Sequence, residues 1–203
     1  MSVLRTVAAS LVALAAGVAV TWTATDGLSA FTLESARRAA VLADPVALPA
    51  LPLRFADGSA RYLADLPAQW LLVDFIYTRC ASLCLAQGTA DARVAELLSA
   101  EVARHRVAVV SISFDPARDD PHMLRAFLAR DAVTAPGRMA AAPLDARDLA
   151  RWLDAFGVVV VDDGEGGYVH NDAVGIVDPR RRLVALIDAG DPAAAVSALR
   201  ARW

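Results

Sequence analysis

The sequence has no lysine. All 20 of its basic side chains are arginine, a bias that reads as genome composition rather than chemistry. Against 23 acidic residues this leaves a formal net charge of −3, and no segment carries the basic stripe that nucleic-acid binding requires. The densest basic run, Arg180-Arg181-Arg182, follows Asp178-Pro179 and reads as a solvated turn. Cysteine is scarce, with two in 203 residues. A disulfide scaffold is therefore excluded, and none is needed, because a chain of this length buries a core of ordinary size. Internal repeats are absent, and so are low-complexity tracts beyond a bias towards alanine. What is plentiful is apolar surface: 57% of the residues are hydrophobic, above the globular average.

Part of that excess is at the N-terminus. The 19 residues from Thr6 to Ala24 carry no charge, close to the roughly 20 that span a bilayer as a helix. Trp22 lies near the outer end, where an interfacial aromatic belongs. No clean small-x-small cleavage site follows, so residues 1–25 read as an uncleaved membrane anchor with its N-terminus inside. Residues 26–45 read as a polar, partly helical linker, and 46–203 as an exported folded domain.

Within that domain, Leu53 to Leu66 predicts a small hairpin turning at Asp57-Gly58. Trp70 to Tyr77 is an almost continuous apolar run, the pattern of a strand buried on both faces. Helix-forming residues follow from Cys84 to Arg104, then a second buried strand from Val107 to Phe114. Helices are expected over Pro121–Arg130 and Leu149–Phe156, the latter with Trp152, Leu153 and Phe156 on one face. Gly164-Glu165-Gly166-Gly167 predicts a flexible loop. Ala173–Val177 and Leu183–Ile187 predict an antiparallel hairpin. A final helix opens with Asp191 as N-cap and Pro192 at its first position. Buried strands alternating with helices define an α/β class with a mixed sheet.

The two cysteines, Cys80 and Cys84, fall at the C-terminal end of the first buried strand and the start of the helix after it. This edge of an α/β sheet is where sites are built. A helix N-terminus favours thiolate, and residues four apart on a helix share a face. Such a pair either closes to a disulfide or binds a soft metal such as Cu(I) or Zn. Two sulfurs leave a metal site incomplete. The candidates for a third ligand are His105, His122, His170, Met123 and Met139. His105 lies between two arginines and His122 at a helix start, both solvated positions, and the methionines read as packing. His170 follows the glycine loop and precedes a strand. Asp74, six residues before Cys80 in an apolar strand, reads as a buried carboxyl with a raised pKa.

Three motifs give these residues a specific context. Leu72-Val73-Asp74-Phe75-Ile76-Tyr77-Thr78-Arg79-Cys80-x-x-x-Cys84 resembles the metal-binding loop of the Sco/SenC family. Ser111-Ile112-Ser113-Phe114-Asp115-Pro116-Ala117-Arg118-Asp119-Asp120-Pro121 is similar to that family's second signature. His170, eight residues before Asp178-Pro179, resembles its ligand histidine. The motifs occur in the family's order and cover roughly residues 50 to 190. The resemblance implies a thioredoxin-like fold with an N-terminal transmembrane anchor, in the inner membrane with the domain in the periplasm. It implies copper, Cu(I) or Cu(II), held by Cys80, Cys84 and His170. It also implies a metallochaperone, rather than an enzyme, that serves the binuclear copper centre of cytochrome c oxidase. The partner would be the oxidase subunit bearing that copper or another copper chaperone.

This chain departs from the family at three places. Leu85 replaces a proline after the second cysteine; Ala81, Ser82 and Leu83 replace spacers that often include an acid. Val169 stands where relatives have an aspartate before the histidine, which removes a carboxylate that would orient the imidazole. The alternative is a thiol–disulfide oxidoreductase. Thioredoxin has a buried aspartate at the same offset as Asp74, and by that likeness Asp74 would be the base for Cys84. The charged run Asp115, Arg118, Asp119 and Asp120 reads equally as a partner-facing rim or as a loop capping the next helix.

Overall fold

The computed structural model describes residues 2–25, 32–79, 83–130 and 137–203; residues 2, 4, 24 and 83–89 are described by their backbone alone. Two compact units are present, Met1–Ala43 and Asp44–Trp203.

The first unit holds two helices. In α1, Ser2–Ala24, the stretch Arg5–Thr23 is long and apolar enough to cross a membrane, and none of it is buried in protein. Leu33–Ala43 forms α2. Its start is fixed by reciprocal bonds: the Ser35 N–H donates to Thr32 Oγ1 and the Thr32 N–H to Ser35 Oγ, each 3.0 Å, which satisfies amides that a helix start leaves open. Glu34 pairs with Arg37 and Arg38 one turn on.

The second unit is built on an eight-stranded mixed sheet. The strands are β1 Val46–Ala47, β2 Leu53–Phe55, β3 Ala60–Arg61, β4 Trp70–Ile76, β5 Val107–Ser113, β6 Arg138–Pro143, β9 Val174–Val177 and β10 Arg182–Ile187; β7 Val160–Asp162 and β8 Tyr168–His170 form a separate hairpin. The sheet order is β1-β10-β9-β4-β5-β6-β2-β3. Strands β4, β5 and β6 run parallel, while β9 is antiparallel to β4 and β2 to β6. The helices are α3 Leu83–Leu97, α4 Ser99–Ala103, α5 Pro121–Ala129, α6 Leu149–Phe156 and α7 Pro192–Arg200.

The register explains the layers. Leu72, Asp74 and Ile76 of β4 lie opposite Val109, Ser111 and Ser113 of β5, so they share one face. On that face Leu72, Val109 and Ile176 pack with Val94 and Ala95 of α3, Leu98 just past its end, and Val196 and Leu199 of α7. A second cluster sets Ile76, Ala140 and Ala142 against Leu124 and Phe127 of α5. Phe75 has the opposite parity, and its ring meets that of Phe156 of α6 edge-on at 5.1 Å. Trp152 and Phe156 are buried as their spacing predicts, while Leu153 is half-buried.

The predicted hairpins at Asp57-Gly58 and at Asp178-Pro179, and the Asp191 cap of α7, are all present. Three features differ. The third parallel strand, β6, comes from Arg-Met-Ala-Ala-Ala-Pro, a segment with no β-branched residue. Sheet burial rather than intrinsic preference makes it a strand. The helix predicted from Cys84 to Arg104 is interrupted at Leu98, giving α3 and α4. The glycine segment 164–167 is a hydrogen-bonded turn rather than a flexible loop. Asp163 Oδ1 accepts from the N–H groups of Glu165 at 2.8 Å and Gly167 at 2.9 Å, which also holds its carboxyl below the usual range.

Candidate functional site

Strand β4 delivers its last residues to the C-terminal edge of the sheet, and Thr78 is fully buried there. Its N–H donates to Asp119 Oδ2 at 2.9 Å and its hydroxyl to Asp119 Oδ1 at 2.6 Å. The Ser113 hydroxyl gives Asp119 a third donor, at 2.5 Å. A buried carboxylate is tolerated when it is satisfied in this way. Asp119 thus ties the entry of the cysteine segment to the loop after β5. Asp120 does a separate job, accepting from the Met123 N–H at 2.9 Å as N-cap of α5. Of the two readings of this charged run, capping holds for Asp120 and internal bracing for Asp119. Sequence reasoning missed the bracing; its one signal was an acid six residues past a buried strand end.

Arg79, the residue before Cys80, reaches both ways. It contacts Asp115 Oδ2 at 3.4 Å and donates to the Gly166 carbonyl at 3.3 Å. Arg118 donates to the same Asp115 oxygen at 3.2 Å. The Tyr168 N–H donates to the Tyr77 hydroxyl at 3.4 Å. Around these bonds is an aromatic cluster. Tyr77 meets Phe114 at 5.3 Å and Tyr168 at 5.2 Å, and Phe114 meets Tyr168 at 5.6 Å. The His170 ring completes it, edge-on to Phe114 at 5.0 Å.

His170 is the last residue of β8 and half-buried. Its Nδ1 is 3.0 Å from the Asn171 carbonyl oxygen. A carbonyl only accepts, so this bond places the ring proton on Nδ1 and leaves the lone pair on Nε2. Cys80 lies outside the described residues. Cys84 is the second residue of α3, within the first helical turn, where unpaired N–H groups favour negative charge. The structure therefore ties the hairpin carrying His170 to the residues that lead into Cys80. His105, two residues past α4, is left-handed, φ 54°, and exposed, as is His122 at the start of α5. Met123 and Met139 are half-buried.

Asp74 is 1% exposed. Burial pushes its carboxyl up to about 6, against a hydrogen bond from Asp91 that lowers it. Asp91, on α3, is buried as well and pushed well above the ordinary range, by burial first and then by the charge of Asp74. The Ser111 hydroxyl, in register with Asp74, reaches Asp91 Oδ2 at 3.4 Å. Asp91 was not singled out from the sequence. Its signal is a lone acid in line with Val94 and Ala95 on the buried side of α3.

Fold and site together define a thioredoxin-like domain with a histidine-bearing hairpin set against the strand end that leads into a cysteine pair. The chain belongs to the SCO1/SenC family, whose sequence pattern matches residues 52–202. Three solved structures show the same fold. A SCO1/SenC family lipoprotein from Bacillus anthracis is 19% identical, with a TM-score of 0.69 over 79% of this chain and 98% of its own. ScoI of Bradyrhizobium japonicum, with copper bound, is 20% identical, with 0.65 over 77% and 99%. Apo Sco1 of Thermus thermophilus is 25% identical, with 0.62 over 79% and 93%. No curated protein matches this chain.

Proposed function

We propose that this protein is a copper metallochaperone for cytochrome c oxidase. It binds one copper through Cys80, Cys84 and His170 and serves assembly of the oxidase's binuclear copper centre. The oxidase subunit that bears that centre, or another copper chaperone, is the exchange partner. Helix α1 anchors it in the inner membrane, with the domain in the periplasm. Membership of the SCO1/SenC family supports this reading, as does a related BsSco described as one of the Sco family of cytochrome c oxidase assembly proteins. The single observation that carries the ligand set is local: the hairpin holding His170 is bonded through Gly166 and Tyr168 to Arg79 and Tyr77, just ahead of Cys80.

The donor set suits the cargo. Thiolate sulfur favours Cu(I), and a neutral imidazole nitrogen serves Cu(I) and Cu(II) alike. Three ligands leave room for an incoming one, so copper passes to a partner by stepwise exchange. The chain's own part is to hold the imidazole with Nε2 free, to favour thiolate at the first turn of α3, and to exclude water with Tyr77, Phe114 and Tyr168.

Titrating the reduced full-length protein in detergent with copper, beside Cys80→Ser, Cys84→Ser and His170→Ala, tests this. One tight copper in the wild type, lost in all three variants, is the expected result. Equal binding by His170→Ala removes the histidine from the site.

Asp74 favours a second reading, thiol–disulfide exchange. Its carboxyl, pushed up to about 6 by burial, is suited to proton transfer near neutral pH. In that reaction Cys80 attacks a partner's disulfide and Cys84 resolves the mixed disulfide. Asp74 takes the Cys84 proton. The partner leaves as a dithiol and the pair becomes a disulfide, so electrons balance. His170→Ala leaves such exchange intact.

A further inference from the structure

The imidazole of His170 is aimed by a residue outside the proposed ligand set. The residue before it gives no help: Val169 is 65% exposed, and alternation along β8 turns it to the face opposite His170. What the ring does meet, at Nδ1, is the carbonyl of Asn171. That peptide is in turn immobilised by the whole of the Asn171 side chain. Its Oδ1 accepts the Val159 N–H at 2.7 Å, and its Nδ2 donates to the Gly157 carbonyl at 3.0 Å. The Asn171 N–H adds a longer contact to the Val159 carbonyl, 3.4 Å.

Both anchor points lie just past α6. Gly157 ends that helix in the left-handed conformation, φ 61°, with its N–H on Asp154 and Leu153. The helix is itself locked into the core by Trp152 and Phe156. A rigid path therefore runs from the core through α6 and Gly157 to Asn171, and from its carbonyl to Nδ1. The amide is needed at both ends. Aspartate would still accept from Val159 but would set an acceptor against the Gly157 carbonyl. Leucine would make neither bond, and serine would not span both.

The geometry points to Asn171 as the positioning residue that holds His170 in the Nδ1–H tautomer with Nε2 turned to the ligand. It stands in for the carboxylate that Val169 does not supply. This rests on the copper reading above for what Nε2 binds, but the tautomer itself does not depend on copper. Partners that orient a metal-binding histidine are generally worth about 10–100-fold in metal affinity.

Two measurements on the full-length protein in detergent decide it. The first uses copper-free protein labelled with 15N-histidine, at a pH where the rings are neutral. Two-bond 15N–1H correlations report which ring nitrogen carries the proton, and the His170→Ala spectrum assigns His170 among the three histidines. The wild type is expected to show the proton on Nδ1, and Asn171→Leu to shift it towards Nε2. The second measurement titrates copper and records the Cu(II) electron paramagnetic resonance spectrum. Asn171→Leu and Asn171→Asp are expected to bind about 10–100-fold more weakly, with altered nitrogen coupling. Asn171→Asp keeps the Val159 bond and carries the test if Asn171→Leu does not fold. A wild-type proton on Nε2, or a folded variant with unchanged tautomer and copper spectrum, overturns the assignment. If the wild type binds no copper, the copper reading fails while the first measurement still decides the role of Asn171.

Discussion

Thr78 and Asp119, 41 residues apart, are joined by two buried hydrogen bonds of 2.9 and 2.6 Å. They fasten the end of β4 to the loop entering α5, and Ser113 adds a third donor to the same carboxylate. Removing the acceptor strands three donors where water does not reach. Asp119→Ala should therefore cost about 2–4 kcal/mol, more than an ordinary surface change, by the penalty for buried unsatisfied groups. Urea denaturation of the wild type and variant measures it. Asp120→Ala removes only an exposed cap and should cost about 1 kcal/mol. Equal costs for the two would contradict the separate roles assigned here.

The buried pair Asp74 and Asp91 makes stability pH-dependent. Folding raises the Asp74 carboxyl from 3.8 to about 6 and Asp91 further in the same direction, so the folded state binds protons more tightly than the unfolded chain. Their contribution is full below the unfolded value and is lost as pH rises through the folded ones. The groups that modulate it are Ser111 opposite, Asp172, which raises both, and Arg138, which lowers both. For Asp74 alone the rise corresponds to about 3 kcal/mol. The denaturation midpoint should fall between pH 5 and pH 7.5 in the wild type and change far less in an Asp74→Asn/Asp91→Asn double variant. Parallel curves would show that the pair is not the source.

Much of this arrangement is legible in the sequence because it is local. The apolar run of β4, the Asp191-Pro192 start of α7 and the Trp152–Phe156 face each carry a short-range signal that tertiary structure then uses unchanged. The alanines of β6 carry none, because their strand identity comes from lying between β5 and β2. Asp74 stands out as a charge within an apolar strand, whereas its partner Asp91 is hidden among alanines that simply read as helix. His170 was identified through three motifs in order rather than by its own surroundings. Asn171 left no trace at all, since its function lies in a side-chain clamp on a helix end 14 residues earlier.

Gly175 shows how closely α6 presses on the sheet. A Cβ at this position would fall 2.6 Å from Phe156 Cε1 and 2.8 Å from Leu183 Cδ1. Both are core atoms with little freedom to retreat. Gly175→Ala should destabilise the domain by about 1–3 kcal/mol through overpacking. Phe156→Leu opens space for the added methyl, so the double variant should be more stable than the sum of the two single changes predicts. Calorimetry on the four proteins gives the coupling directly. Additive losses would mean that the clash is relieved elsewhere.

Copper itself supplies the last expectation. A ligand that binds only the folded chain stabilises it by RT ln(1 + [L]/Kd), about 2.7 kcal/mol when free ligand is 100 times Kd. For a domain of this size each kcal/mol moves Tm by about 2–4 °C, so loading should raise Tm by roughly 5–10 °C. A Cu(I) chelator should reverse the shift. In Cys84→Ser the shift should vanish, because one sulfur and one imidazole no longer make a closed site. His170→Ala separates the two readings of the protein. If it loses the copper shift yet still undergoes thiol–disulfide exchange with a small disulfide at the wild-type rate, the cysteines retain redox chemistry in their own right and the imidazole serves the metal. If it loses the shift and the exchange together, the histidine supports the reactivity of the thiols as well, and the two activities share one site.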